Sequence, residues 1–217
     1  MNKVISFSLW GDNPKYTIGA VKNAFLAKYI YTGWECRFYV ANDVPQTIID
    51  GLIQNSAKVI NMGEGKISSM LWRFKPLYDP DVDVFISRDT DSRLSYRERV
   101  AVDEWLLSGK KLHIMRDHAY HQRYVMGGMW GYNGTIENDT IDAFLASKEN
   151  PDYYDVDQEF LSELFSFETS VLVHDEMYQG ETFPSPRRNN EYVGAPYDHL
   201  DNLEIQFVEV PHFPGVV

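Results

Sequence analysis

The first ninety residues alternate between two periods, and no other feature of the chain restricts its fold as tightly. "KVISFSLW" reads as a strand. "YTIGAVKNAFLAKYIYTG" then sets apolar residues at 18, 21, 25, 29 and 30, the spacing of a helix, and stops at Gly33. "CRFYVAND" is strand-like, and "VPQTIIDGLIQNS" is helical with its proline near the start. "AKVINMG", "SSMLWRFKPLY" and "DVFIS" add a third strand, a third helix and a fourth strand. Such a β-α-β-α-β-α-β order predicts a mostly parallel, doubly wound sheet.

The rhythm changes after residue 94. Ser95 and Glu98 form a capping-box pattern opening the helix "YRERVAVDEWLLS", which ends at Gly109. "KLHIMRD" and "VMGGMWGYN" read as strands on either side of "HAYHQRY". "TIDAFLASK" and "DQEFLSELF" read as helices, and "SVLVHDEM" as a late strand, so the second half is mixed α/β. "FPSPRRNNEYVGAPYDHLDN" is rich in turn formers and predicts an ordered surface loop. No repeat, low-complexity segment or linker divides the chain. Its 217 residues, 44% hydrophobic and 14% aromatic, suit a single domain over 1–217.

Charge narrows the partners. A net charge of −12 argues against nucleic acid and against anionic membrane, both of which attract basic patches. No apolar run reaches 18 residues, so no membrane span is expected, and "MNKVISFSLWGDN" meets Gly11 and Asp12 too early for a signal peptide. The single Cys36 has no disulfide partner within the chain and no zinc-ligand spacing around it, which points to a reducing, cytoplasmic compartment.

The chemistry concentrates in "VFISRDTDSRL", residues 84–94, where a buried strand runs into two carboxylates flanked by arginines. Ligands of open parallel sheets sit beyond the carboxyl ends of the strands, and Asp89-Thr90-Asp91 lies at such an end. Paired carboxylates there suit Mn²⁺ or Mg²⁺, which take oxygen ligands and leave positions open for substrate phosphates. Asp-x-Asp occurs four times in this acidic chain, so the triplet alone is a weak signal. Asp79-Pro80-Asp81 and Asp81-Val82-Asp83 precede their strand and read as a solvated turn.

Rival chemistries fail on specific residues. An aspartyl-phosphate phosphatase would carry its aspartates after the first strand and a Thr or Val where Arg93 stands. A dinucleotide oxidoreductase would carry Gly-x-Gly-x-x-Gly where only Gly11 is found, and no P-loop is present.

The run "LWRFKPLYDPDVDVFISRDTDSRLSYRERVAVDEWLLSGKKLHIMRDHAYHQRYVMGGMWG" resembles GT-A fold glycosyltransferases. Within that family it is similar to the N-terminal glycosyltransferase domains with which chloroviruses glycosylate their major capsid protein. The resemblance spans most of the chain, as far as "YVG" at 192–194, and rests on "RDTDSRL", "MRDH" and "GGMWG". It implies a UDP-sugar donor, a divalent metal and hexosyl or deoxyhexosyl transfer to a glycan or glycoprotein acceptor, with further domains in a longer polypeptide. Residues 1–94 would form the nucleotide-binding half and 95–217 the sugar and acceptor half.

The resemblance also distributes roles. Phe7, Ser8, Leu9 and Tyr16, in and after the first strand, would contact base and ribose; core and turn positions are the plainer alternative. Arg73 would reach a donor phosphate or ribose, and Arg187 or Arg188 would close over the diphosphate. Thr90 would touch the donor between the metal-binding Asp89 and Asp91, and His174 would be the third metal ligand, the plainer alternative being a strand-end histidine bonded to a neighbour. Gly127 and Gly128 would let backbone approach the sugar. Asp157 and Gln158, in the first turn of a helix started by Asp155, would face sugar and acceptor, although an acid there also suits the helix dipole. Asp117 and Asp175 are the reserve carboxylates. A non-catalytic nucleotide-sugar or carbohydrate-binding module of the same fold is the alternative reading. A nucleotidyltransferase lacks its glycine-rich, basic first loop here.

Overall fold

The computed structural model describes residues 1–136 and 139–207, so the domain expected over 1–217 has 137–138 and 208–217 outside the described residues. Seven strands form one sheet: β1 (Lys3–Leu9), β2 (Glu35–Ala41), β3 (Lys58–Gly63), β4 (Val84–Ser87), β5 (Leu112–Arg116), β6 (Trp130–Asn133) and β7 (Val171–Asp175). Their spatial order is β3-β2-β1-β4-β6-β5-β7. β1 to β4 are parallel, and β6 runs antiparallel to both β4 and β5. β5 and β7 pair in parallel. This is the mostly parallel sheet with a mixed second half that the sequence predicts.

Alternation along the strands sends side chains into two cores. Ile5, Phe7 and Leu9 of β1, with Val84 and Ile86 of β4, pack beneath α1 (Pro14–Ile30), α2 (Gln46–Gln54) and α3 (Tyr96–Ser108). Val4 and Phe85 point the other way, onto Leu71, Phe74, Trp130, Phe144 and Phe160. The latter face is covered by a helical segment over Ile67–Tyr78, by α4 (Ile141–Ala146) and by α5 (Val156–Leu164). Among the described residues no helix is long and apolar enough to cross a membrane.

Three local readings are corrected. Ile67–Tyr78 is a 3₁₀ helix rather than an α-helix. The Arg73 N–H donates to Ser8 Oγ (2.8 Å), which itself donates to the Met70 carbonyl, so β1 takes up hydrogen bonds that an α-helix would make internally. Pro76, with no N–H, removes one more. Strand β6 starts at Trp130, and 125–129 is loop. Ser95 does cap α3 through the Glu98 N–H (3.3 Å), and Gly109 ends it at φ +69°, but the Glu98 side chain does not complete the box. It turns inward instead, accepting from Arg88 Nε (3.2 Å) and Tyr31 Oη (2.8 Å).

Candidate active site

The connection after β1 leads to β2 on one side, while β4 lies on the other, so the crevice between β1 and β4 is a topological switch point. Such crevices bind ligands at the strands' carboxyl ends. Here the β1 end contributes Lys15 and Tyr16 at the start of α1, and the β4 end contributes Asp89 and Asp91.

Helix α1 fixes the loop that carries the carboxylates. Buried Asn23 donates to the carbonyls of Ser92 (2.8 Å) and Thr90 (3.2 Å) and accepts from the Leu94 N–H (3.0 Å). A Cβ on Gly19 would overlap the Thr90 carbonyl, so the helix and the loop come into backbone contact. Neither arginine flanking the triplet pairs with its carboxylates, and Arg93 binds the triplet's backbone instead, donating to the Thr90 (3.5 Å) and Asp91 (3.3 Å) carbonyls. Arg88 is buried against Glu98 and the Ser87 and Trp130 carbonyls, and Arg93 pairs with Asp201 (2.9 Å).

Between the carboxylates stands Arg73. One terminal nitrogen binds Asp89 Oδ1 and the other binds Asp157 Oδ2 at 2.6 Å, so residues from the 3₁₀ segment, the β4 loop and α5 meet at one guanidinium. The Arg73 Nε is buried and finds no partner among the described residues. Asp157 also accepts from the Gln158 N–H (2.9 Å). Burial raises its carboxyl above the ordinary range, with Arg73 opposing. Gln158 donates through Nε2 to Asp155 (2.7 Å), while its Oε1 is buried with no partner among the described residues. Asp155 precedes α5 as expected, though at φ +72° and without capping it through its side chain.

Gly127 and Gly128 close the floor. A Cβ on Gly127 would fall on Asp157 and Arg73, and one on Gly128 would fall on Asp89. Neither has a positive φ. The space they leave is therefore already filled by site side chains, and the expectation that it admits the sugar is corrected.

Asp91 forms an ion pair with Lys15 (3.0 Å), which also binds Glu204 at 2.7 Å. Burial raises the Asp91 carboxyl, and the charge of Asp89 raises it further. Burial works against the Lys15 charge, but Glu204 and Asp91 outweigh it and raise its pKa. Tyr16 lies beside these groups, its phenol raised by burial and by the charges of Asp91 and Asp89, while the neighbouring Tyr154 is largely exposed. Two acidic oxygen donors that repel each other fit a hard divalent cation. Among the described residues no group of three or more His, Cys, Asp or Glu is arranged around a metal position. The protein's share of such a site is two carboxylates, the number Mg²⁺-type sites combine with substrate phosphates and water.

Several expected contacts lie elsewhere. His174 is fully buried on β7, its Nδ1 2.8 Å from His113 Nε2 and its Nε2 3.6 Å from Glu104, so it is not with Asp89 and Asp91. Its strand side faces α3 instead of the strand tip. Phe7 stacks on Phe38 (4.6 Å between centroids) and Leu9 is buried in the same core, so neither faces a ligand. Ser8 acts through Arg73, as described. Thr90 is buried and offers its carbonyl to Asn23. Arg187 binds Asp117 (2.7 Å) and Glu176 (3.1 Å), whereas Arg188 is exposed and pairs with no carboxylate among the described residues. Asp117, bound also by Arg97 and the Val193 N–H, and Asp175, bound by Arg116, are consumed in loop structure. The sequence reading missed Lys15, Tyr154 and Glu204. Lys15 and Tyr154 adjoin residues it had selected, and nothing in the sequence marks Glu204, 113 residues after Asp91.

The fold and site together define an α/β domain with an acidic, arginine-bridged crevice at its switch point. No family model and no curated protein matches the chain. Among solved structures it is similar to the glucosyl-3-phosphoglycerate synthase of Mycobacterium tuberculosis in complex with phosphoglyceric acid. The TM-score is 0.49 with 14% identity, covering 79% of this chain and 68% of that one. The same enzyme with Mn²⁺, uridine diphosphate and phosphoglyceric acid aligns at TM-score 0.49 and 14% identity, covering 79% and 67%. A further structure of that synthase gives 0.49 and 13%, covering 85% and 73%. Residue roles in the present chain rest on its own geometry.

Proposed function

We propose that this chain is a metal-dependent GT-A glycosyltransferase that moves a hexosyl or deoxyhexosyl group from a UDP-sugar to a glycan. The chlorovirus resemblance points to a capsid glycoprotein as the carrier of that glycan. The observation that carries the reading is the meeting of Asp89 with Asp157 at Arg73, beside the Lys15-paired Asp91, at the switch point of a mostly parallel sheet. Asp89 and Asp91 would hold Mn²⁺ or Mg²⁺. When bound, the cation stabilises as a Lewis acid the negative charge that builds on the departing diphosphate.

The remaining roles belong to the chain. Arg73 holds Asp157 in place and opposes the rise in its pKa that burial causes. Asp157 and Gln158, whose Oε1 has no partner among the described residues, orient the sugar's hydroxyls; in an inverting transfer Asp157 also takes the acceptor's proton. Tyr16, about 40% exposed, and Tyr154 rim the crevice and offer rings to the base and ribose. In this reading residues 1–94 supply most of the nucleotide side, joined by Tyr154, and 95–217 supply the sugar and acceptor side.

Thermal stability with a panel of UDP-sugars, with and without Mn²⁺, tests this. A ligand at a hundredfold excess over Kd stabilises by about 2.7 kcal/mol, or roughly 5–11 °C for a chain of this size. The Asp91→Ala variant is expected to fold and to lose the Mn²⁺-dependent part of that gain. No stabilisation by any UDP-sugar with Mn²⁺, or an unchanged gain in Asp91→Ala, would refute the assignment. Stabilisation without UDP release on adding acceptor glycans would favour the non-catalytic binding module.

A further inference from the structure

A donor diphosphate in this crevice needs a protein cation as well as a metal, and of the three arginines expected to supply one, Arg73 and Arg187 are engaged, while Arg188 is exposed and no contact ties it to Asp89 or Asp91 among the described residues. Both terminal nitrogens of Arg73 are on carboxylates, and Arg187 is held by Asp117 and Glu176. Lys15 differs. It sits at the β1 side of the switch point, directly across from the β4 carboxylates, with its ammonium 3.0 Å from Asp91 and 2.7 Å from Glu204. Four carboxylates (Asp89, Asp91, Asp157, Glu204) share two cations, Arg73 and Lys15, so the cluster carries two uncompensated negative charges, the deficit that one divalent cation fills.

A cation on Asp91 and the Lys15 ammonium repel each other over the same carboxylate. Glu204 remains as the lysine's second partner and keeps it at the crevice. Lysine has three rotatable donors on a flexible four-carbon stem, so release from Asp91 frees a donor without moving the backbone. Building on the glycosyltransferase reading, we infer that Lys15 is a donor-phosphate contact that yields Asp91 to the divalent cation and takes an oxygen of the nucleoside diphosphate. In the absence of donor and metal the same lysine neutralises Asp91 and keeps the empty crevice from repelling itself apart.

The two roles have opposite signs in a binding experiment, which separates them. Titration of the whole chain with Mn²⁺ alone, and with UDP in the presence of Mn²⁺, is compared for the parent, Lys15→Met and Lys15→Arg. In Lys15→Met the UDP affinity is expected to fall by about tenfold to a hundredfold, the range for a charge-assisted hydrogen bond. Affinity for Mn²⁺ alone stays the same or tightens, because a competitor for Asp91 has gone. Lys15→Arg should recover most of the UDP affinity. Parental UDP affinity in Lys15→Met, or equal losses for UDP and for Mn²⁺ alone, would overturn the role of Lys15 while leaving the glycosyltransferase reading intact. A parent chain that bound no UDP with Mn²⁺ would overturn both.

Discussion

Replacing Arg73 by methionine tests the centre of the site through stability alone. Methionine keeps much of the apolar stem and removes the charge that Asp89 and Asp157 share. The two carboxylates do not suffer equally. The Asp89 side chain is 41% exposed and the Asp157 side chain 7%, so water screens the first and leaves the second as an unpaired buried charge. Breaking a buried pair by removing one partner costs 3–5 kcal/mol. With the Asp89 contribution discounted, the expected loss is about 3 kcal/mol at pH 7.5, or roughly 6–12 °C in Tm at about 2–4 °C per kcal/mol. The cost also depends on pH. Burial already raises the Asp157 carboxyl while Arg73 holds it down, so losing Arg73 raises it further. The folded variant then binds a proton that the unfolded chain, with an aspartate pKa near 3.9, does not bind. A raised folded pKa means stability is gained as pH falls through that value. The gap between variant and parent should therefore narrow on acidification, by up to about 1.4 kcal/mol per pH unit. Adding Asp157→Asn to Arg73→Met removes the stranded charge and should recover at least half of the lost Tm. A single variant melting within about 2 °C of the parent, or a double variant melting as low as the single one, would refute this reasoning.

Gly128→Ala introduces no backbone strain but puts a methyl on the Asp89 carboxylate, so Mn²⁺-dependent UDP binding should weaken at least about fivefold, an overpacking cost of about 1–3 kcal/mol, as read by calorimetric titration. Asp157→Asn should cut sugar transfer by at least about a hundredfold while UDP affinity stays near the parent's; near-parental transfer would leave Asp157 as a helix-start residue. Acid should destabilise the fold through His121, whose pKa is lowered to about 3 by burial and by His118, with Asp175 opposing and Arg187 adding to the shift. The unfolded chain takes up that proton below about pH 6.5 and the folded chain does not, so at pH 5 the loss is about 2 kcal/mol. Denaturant titrations from pH 7.5 to 5 should show a shallower slope in His121→Asn, whose carbonyl keeps the acceptor for the Asp117 N–H.

Periodicity and punctuation were enough to determine the sheet. Alternation over 3–10, 36–43, 57–63 and 83–87, with helices between, left a parallel arrangement as the consistent packing, and the strand-tip position of Asp89 and Asp91 followed from it. The place of Asp157 in the first turn of α5 was legible for a related reason, since local geometry sets it, whereas its selection as a site residue came from the family resemblance.

The rest depended on which way side chains turn and on what reaches them from distant parts of the chain. His174 is one residue from the end of β7, and only pairing in the sheet decides that it faces His113 and Glu104 instead of the crevice. Phe7 and Leu9 follow the same rule: β1 is buried on both faces, so its apolar residues are core however close they lie to a site. Arg73 was legible as a charge near the site, but its two carboxylate partners are 16 and 84 residues away, and pairwise distances of that kind are set by packing. Lys15 and Glu204, 189 residues apart, meet only because the loop after Tyr192 returns across α1. Local sequence determines where an element begins and which residues share its face; the partner of a charged side chain is a property of the folded whole.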